Sequence, residues 1–277
     1  FAERVWADHP LGRPILGTWD SVRSFGRETI LRHFEEEYAP TNIMVAAAGH
    51  ADPARVVDLF APRFEGFRRQ AIPRRSAAPV LHPGVHVVHK ALEQVHLVLG
   101  FPGIPDGAPE RYALYLLNDI IGGSMSSRLF QELRERQALV YSVHSGTQAF
   151  HDAGVLYVYA GTDAPNFGKV LEALMKELRA IKKDGVTAEE LRRAKDHLKG
   201  NLILSLESTS SRMNRLAKQE LRFGSFLSVD EMLAAIDAVR LEEIEALIHR
   251  VLDDEQLCLL ALGPVDRHSL PRDLTLR

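Results

Sequence analysis

The sequence predicts an α+β fold in which antiparallel sheets are flanked by helices, and two observations predict it. After residue 84, short apolar runs typical of strands occur in pairs, and segments with helical periodicity separate these pairs. Strictly alternating strand and helix units, which are typical of a parallel sheet, are not seen. The 277 residues are 45% hydrophobic and 26% charged, so the chain is long and apolar enough to bury a sizeable core.

The composition excludes several function classes. The net charge is -3 with both signs mixed along the chain, which gives no electrostatic argument for binding nucleic acid or an anionic membrane. No apolar run approaches the ~20 residues that a membrane-spanning helix needs. Cys258 is the single cysteine and lies in an apolar run, so we expect a buried small hydrophobic residue and no internal disulfide.

A stretch rich in proline and arginine divides the chain into two parts. We assign residues 1–65 to a first domain, 66–83 to a linker and 84–277 to a second domain. In the first domain we predict a helix over 22–38, a buried strand over 43–48 and a helix capped by Asp52. The linker arginines are interpreted as solvated rather than as a docking patch; they are Arg68, Arg69, Arg74 and Arg75.

In the second domain, apolar spacing and capping signals predict the elements in order. The predicted strands cover 85–90, 95–101, 139–146 and 154–161, and a terminal strand surrounds Cys258. The predicted helices cover 109–121, 126–137 and 167–181, and an apolar face at 244–251 indicates another near the C-terminus. Two sequences of the form Ser/Thr-x-x-Glu, beginning at Thr187 and Ser228, predict capping boxes that open two further helices.

The residues do not predict a metal site. The compact helical zinc motif, HxxEH, requires a Glu-His dipeptide, and the sequence contains none. His82, His86 and His89 would converge on a helix, but Pro83, Gly84 and the neighbouring valines favour an extended chain. His144 and His151, which precedes Asp152, lack a nucleophile that they could activate. We therefore expect no zinc ligands and no catalytic residues in this chain.

The segment 122–143, GGSMSSRLFQELRERQALVYSV, is dense in candidate site residues. It predicts a serine-rich helix start, an amphipathic helix and a strand. Arg134, near the end of the helix, could clamp a carboxylate or a peptide carbonyl. Tyr141, on the strand, could donate a hydrogen bond to an oxygen that gains charge during hydrolysis. The alternative is structural: Arg134 would balance the helix dipole, and Tyr141 would be a core residue with a polar tip.

At this segment the sequence resembles the insulinase/pitrilysin zinc peptidases, which include the mitochondrial processing peptidases and their bacterial relatives. The resemblance covers nearly the whole chain in the right order. It includes HPLGRPILG at 9–17, YAPTNIMV at 38–45, LEQVHLVLG at 92–100, LKGNL at 198–202 and EST at 207–209.

The resemblance implies a zinc endopeptidase in which clamshell-type domains enclose an unfolded peptide. In the family, HxxEH and a further glutamate ligand lie before the point that corresponds to Phe1. Residues 1–65 would then be the end of the catalytic domain, and 84–277 a complete second domain that binds substrate. Arg134 and Tyr141 match the family's arginine and tyrosine, which reach the substrate near the zinc. The complete enzyme would hold zinc, whereas this chain alone should bind none and be inactive.

Three interpretations of the sequence stay open. The chain is part of a zinc endopeptidase, a non-catalytic subunit that supplies the Arg/Tyr pair to a zinc-bearing partner, or a structural subunit like the core proteins of respiratory complexes. The expected partners are a peptide substrate and a domain or subunit with the zinc motif. Exposed apolar surface on an incomplete domain would also favour self-association. We expect a soluble protein of the bacterial cytoplasm or periplasm.

Overall fold

The chain folds into two units, seen in a computed structural model that describes residues 1–66, 77–271 and 273–276. The first unit comprises Phe1–Arg13, Ala78–Gly200 and Ser228–Arg277, and the second comprises Pro14–Ala77 and Asn201–Leu227. This division groups the first residues of the chain with the sheet. The assignment of 1–65, 66–83 and 84–277 to family domains stays a prediction. The linker arginines Arg68, Arg69, Arg74 and Arg75 lie outside the described residues.

A five-stranded sheet forms the centre of the first unit. Its strands are β1 (Gly84–His89), β2 (Val95–Pro102), β3 (Ser142–Ala149), β4 (Gly154–Thr162) and β5 (Cys258–Gly263), in the order β1-β5-β2-β4-β3. The neighbouring pairs are antiparallel except β1 and β5, which run parallel. The α+β class is confirmed. The expected antiparallel pairing is found in three of the four neighbouring pairs, and β1 and β5 can run parallel because a long connection, unlike a hairpin, joins them.

The described residues form ten α-helices. In chain order the described residues form α1 (Ala2–Val5), α2 (Trp19–Ser24), α3 (Arg27–Glu37), α4 (Pro53–Phe64), α5 (Arg111–Asn118), α6 (Phe167–Asp184), α7 (Ala188–Ser205), α8 (Thr209–Phe223), α9 (Val229–Ala238) and α10 (Leu241–Val251). Within the described part of the chain, no helix combines the length and apolarity needed to cross a membrane.

One face of the sheet carries the core. On β2, Leu97, Leu99 and Phe101 are completely buried, and their neighbours His96 and Val98 are only partly buried. This alternation places successive side chains on opposite faces. Helix α5 contacts β3, helix α6 contacts β4, and α10 packs against both helices. The predicted apolar face near the C-terminus is confirmed, because Ile244, Leu247, Ile248 and Val251 of α10 are all buried.

The first residues of the chain pack near one end of the sheet. Val5 and Trp6 form a buried cluster with Val155 and Cys258, and the Trp6 ring meets Phe150 edge-on at 6.1 Å between centroids. Cys258 is completely buried, as predicted, and burial raises the pKa of its thiol to about 11. The thiol therefore stays protonated at neutral pH and acts as a small apolar group.

The predicted caps are confirmed. The Thr187 hydroxyl accepts a hydrogen bond from the Glu190 amide at 3.2 Å, and the Glu190 carboxylate accepts one from the Thr187 amide at 2.8 Å. Ser228 and Glu231 form the same reciprocal pair at the start of α9, and Asp52 caps α4. These signals are local, so a few adjacent residues are sufficient to predict them.

Glu190 also fixes the start of the segment that carries the candidate site. The Arg128 guanidinium makes a two-pronged ion pair with its carboxylate, at 2.6 and 2.8 Å, and donates to the Gly185 carbonyl at 3.0 Å. Burial raises the pKa of Glu190, but hydrogen bonds from Arg128 and Thr187 outweigh burial and lower it to about 2. The carboxylate is therefore charged throughout the physiological range.

The second unit departs from two predictions. The helix predicted over 22–38 is divided into α2 and α3, which are separated at Phe25 and Gly26. The buried strand predicted over 43–48 is wrong: Ile43, Met44 and Val45 are 38–43% exposed, and none of the described strands pairs with them. An apolar run becomes a strand only where a neighbouring backbone satisfies its amide and carbonyl groups.

We predict that this chain self-associates through its second unit. Large apolar side chains are unusually exposed there, including Trp19 at 80% and Leu221 at 70%. Light scattering should give an average molar mass that rises with protein concentration. The double change Trp19→Ser and Leu221→Ser should lower this mass. Val88→Ser, on β1 of the first unit, is the matched control and should have no effect. A monomeric mass at all concentrations would contradict the prediction.

The Arg128–Glu190 pair predicts a specific loss of stability in acid. The folded-state pKa of Glu190, about 2, lies below its ordinary value of 4.5. The stabilisation that the charged Glu190 carboxylate gives to the folded chain is therefore complete above pH 4.5 and is lost as the pH falls toward 2. In Glu190→Gln the free energy of unfolding should decrease by up to about 3 kcal/mol at neutral pH. The decrease in stability that the wild type shows between pH 4.5 and pH 2 should be smaller in this variant. Denaturant unfolding at several pH values measures both.

Glu189→Gln is the matched control for that experiment, because Glu189 is adjacent in sequence but its side chain is exposed and pairs with Arg192 on the helix surface. It should leave the pH dependence of unfolding nearly unchanged. Equal effects of the two substitutions would contradict the assignment.

Candidate functional site

The segment before β3 forms a widened helical turn. The sequence predicts a regular helix over 126–137, but Phe130–Arg136 is wound as a π-helix. Its wider turn is seen in the hydrogen bond from the Gln137 amide to the Glu132 carbonyl at 3.1 Å, which spans five residues. Short π-helical turns occur frequently at functional sites, where the wider turn alters the direction of the side chains.

The structure brings Arg134 and Tyr141 together. Arg134 Nη1 donates a hydrogen bond to the main-chain carbonyl of Tyr141, so the helix is joined to the residue that precedes β3. The guanidinium also lies over the ring of Phe130, 5.6 Å from its centroid, in a cation–π arrangement. The contacts with the Tyr141 carbonyl and with the Phe130 ring therefore both restrict the side chain of Arg134.

The loop between these two residues is attached to β4. Thr162 Oγ1 donates to the Leu139 carbonyl at 2.7 Å, and the Tyr141 amide donates to the Gly161 carbonyl at 2.9 Å. The Leu139 amide donates to the Leu133 carbonyl at 2.9 Å. Ala138 has a φ of 51°, a left-handed conformation that costs free energy for a residue with a Cβ atom.

Both candidate side chains are accessible to a ligand. Tyr141 is 58% exposed, and Arg134 also lies at the surface. A guanidinium has five N–H donors, of which the contact with the Tyr141 carbonyl uses one. The arrangement therefore offers a cation with further donors beside an exposed phenol, which can bind a carbonyl or carboxylate oxygen.

The histidines considered from the sequence are dispersed. His86 and His89 lie on β1, and the His82 amide donates to the Val5 carbonyl at 2.9 Å. Burial, followed by the positive charges of Arg4 and Arg267, lowers the pKa of His86. Zinc sites in proteins need three or four converging donors. The described residues include no cluster of three or more histidine, cysteine or acidic side chains, so they do not fit a zinc ion.

One polar pair was not predicted from the sequence. His197 Nδ1 lies 2.7 Å from Asp119 Oδ1, and burial raises the pKa of Asp119 although the contact with His197 opposes this. The two residues are 78 positions apart. No spacing rule connects positions at that distance, so the sequence carried no signal for the pair. The same holds for Thr162 and Leu139, which are 23 positions apart.

Comparison with known proteins places the chain in a family. A model of the peptidase M16 inactive domain matches residues 24–198. The chain is 35% identical over 263 residues to the uncharacterized zinc protease YmxG of Bacillus subtilis, covering 95% of this chain and 64% of the relative. It is 38% identical over 273 residues to an uncharacterized zinc protease of Streptomyces coelicolor, covering 96% and 59%. The chain thus spans about three fifths of the length of these relatives.

Two solved structures share the fold of this chain. The crystal structure of a peptidase M16 inactive domain from Pseudomonas fluorescens has a TM-score of 0.87 at 20% identity, covering 96% of this chain and 64% of that chain. A protease from Helicobacter pylori has a TM-score of 0.85 at 22% identity, covering 95% and 65%. The family model and the relatives give one answer: the chain belongs to the peptidase M16 family of zinc metallopeptidases and carries the family's inactive domain.

Proposed function

We propose that the chain contributes Arg134 and Tyr141 to the substrate site of a zinc endopeptidase whose zinc is held by another domain or subunit. The observation that carries the proposal is the hydrogen bond from the Arg134 guanidinium to the Tyr141 carbonyl. It holds an exposed cation against the main chain of the residue that carries an exposed phenol. Membership of a family whose relatives are named zinc proteases supports the reaction class.

Arg134 is suited to bind the peptide. A guanidinium presents its donors in a planar fork, which matches a carboxylate or a pair of carbonyl oxygens. The contacts with Phe130 and with the Tyr141 carbonyl restrict the side chain before any ligand arrives. Less conformational entropy is then lost on binding, so a preorganised arginine binds the peptide more tightly than a mobile one.

Tyr141 is suited to stabilise the transition state. Its amide is held by Gly161 and its carbonyl by Arg134, whereas the phenol extends to the surface. A hydroxyl donor carried on an anchored main chain can bind the oxygen that becomes negatively charged when water attacks the scissile carbonyl. Such a contact is stronger in the transition state than with the bound substrate, so it raises kcat rather than lowering KM.

The zinc of the complete enzyme is assigned to another domain or subunit. The described residues of this chain do not fit the ion, and the chain spans about three fifths of its zinc-protease relatives. The role of this chain is therefore confined to binding and orienting the peptide and to stabilising charge on its scissile carbonyl. The partners that follow are a peptide substrate and the zinc-bearing part of the enzyme.

Two substitutions in the complete enzyme test the proposal. Tyr141→Phe removes only the hydroxyl and should lower kcat by roughly a hundredfold, the effect of losing one donor to a developing oxyanion, with little change in KM. Arg134→Ala should lower kcat/KM by a similar factor and raise KM. Cleavage of a fluorogenic peptide measures both constants.

Arg136→Ala is the matched control, because this arginine lies on the same turn but pairs with Glu132 at the surface. It should cleave the peptide at nearly the wild-type rate. Wild-type values of kcat/KM in both Arg134→Ala and Tyr141→Phe would show that the pair has no role in proteolysis.

A further inference from the structure

Thr162 is a completely buried polar residue at the end of β4. Its hydroxyl donates to the Leu139 carbonyl at 2.7 Å. Leu139 belongs to the loop that separates Arg134 from Tyr141, so this hydrogen bond joins the interior of the sheet to the candidate site. A buried hydroxyl that points from a central strand into a neighbouring loop is a specific attachment, because either partner would be costly to leave unpaired.

The position of Thr162 in the sheet explains why it reaches the loop. Thr162 pairs with Val95 of β2, whereas the pairing of β3 with β4 begins one residue earlier, at Ser142 and Gly161. The loop therefore lies beside the end of β4 where β3 is absent. Two consecutive β4 residues hold it: Gly161 accepts from the Tyr141 amide, and Thr162 donates to the Leu139 carbonyl.

The loop needs such attachments because its backbone is unfavourable locally. Ala138 has a φ of 51°, which a residue with a Cβ atom adopts only where surrounding contacts impose it. Leu139, the next residue, is hydrogen bonded on both sides, through its amide to Leu133 and through its carbonyl to Thr162. Without the Thr162 hydroxyl, the Leu139 carbonyl loses its hydrogen bond, and Leu139 is held only through its amide.

We propose that Thr162 is a positioning residue for Arg134 and Tyr141. It does not touch the peptide; it fixes the loop whose two ends carry the side chains that do. The inference rests on the proposed function, since positioning matters for catalysis only if Arg134 and Tyr141 contact substrate. A sub-ångström displacement of a catalytic contact lowers the rate without changing the fold.

The kinetic test uses the complete enzyme and three substitutions. Thr162→Val keeps the shape and removes the hydroxyl, so kcat should fall roughly threefold to tenfold, the value of one hydrogen bond, and KM should rise because the loop also ends at Arg134. Thr162→Ser keeps the hydroxyl and should restore kcat. Thr147→Val, on β3, removes a hydroxyl away from the loop and should leave kcat unchanged.

A second measurement needs no activity. Amide hydrogen exchange on this chain should show faster exchange at Tyr141 in Thr162→Val, while the amides of β2 keep their wild-type protection. Wild-type exchange at Tyr141 together with wild-type kcat would overturn the proposal. A uniform loss of protection across β2 and the loop, which Thr162→Ser fails to reverse, would also overturn it, because Thr162 would then act only on global stability.

The failure of this inference can be separated from the failure of the proposed function. If Arg134→Ala and Tyr141→Phe cleave like the wild type, the proposed function is wrong, and the inference fails with it. If those two substitutions lower the rate but Thr162→Val leaves both kcat and the exchange of Tyr141 unchanged, only the positioning role is wrong.

Discussion

The hydrogen bond from the Arg134 guanidinium to the Tyr141 carbonyl is the contact on which the rest of the candidate site depends. It closes a loop between two residues seven positions apart, and the attachments of this loop to the sheet come from β4, through Gly161 and Thr162. The side chain and the main chain have different roles here. The main chain of Tyr141 is used for anchoring, and its side chain remains 58% exposed. Preorganisation of this kind is what allows a donor to act on a transition state without first being ordered.

The sheet makes this arrangement possible because it supplies a rigid attachment. Strand β2 pairs with β4 along its whole length, helix α6 packs against β4, and the loop is bound to the end of β4. At the other end of the segment, the Arg128–Glu190 ion pair joins the start of the helical turn to the cap of α7. The site residues therefore lie on a short segment that is restrained at both ends by elements of the first unit.

The sequence predicted the parts that depend on near neighbours. The capping boxes at Thr187 and Ser228 and the apolar face of α10 follow from positions close together in the chain. Arg134 and Tyr141 were selected through the family resemblance, and their role stays a prediction. Contacts between distant positions gave no such signal, so the Thr162–Leu139 hydrogen bond and the Asp119–His197 pair were missed. The strand at 43–48 was predicted wrongly because apolar composition does not supply the partner backbone that a strand requires.

The central claim is that this chain adds necessary substrate contacts to a zinc site held elsewhere. The most direct measurement is reconstitution: the zinc-bearing part of the complete enzyme is purified separately, and peptide cleavage is measured with and without this chain. We predict that cleavage requires the chain and that a chain carrying Arg134→Ala restores much less activity than the wild type. Equal cleavage by the zinc-bearing part alone, or full restoration by the Arg134→Ala chain, would contradict the claim.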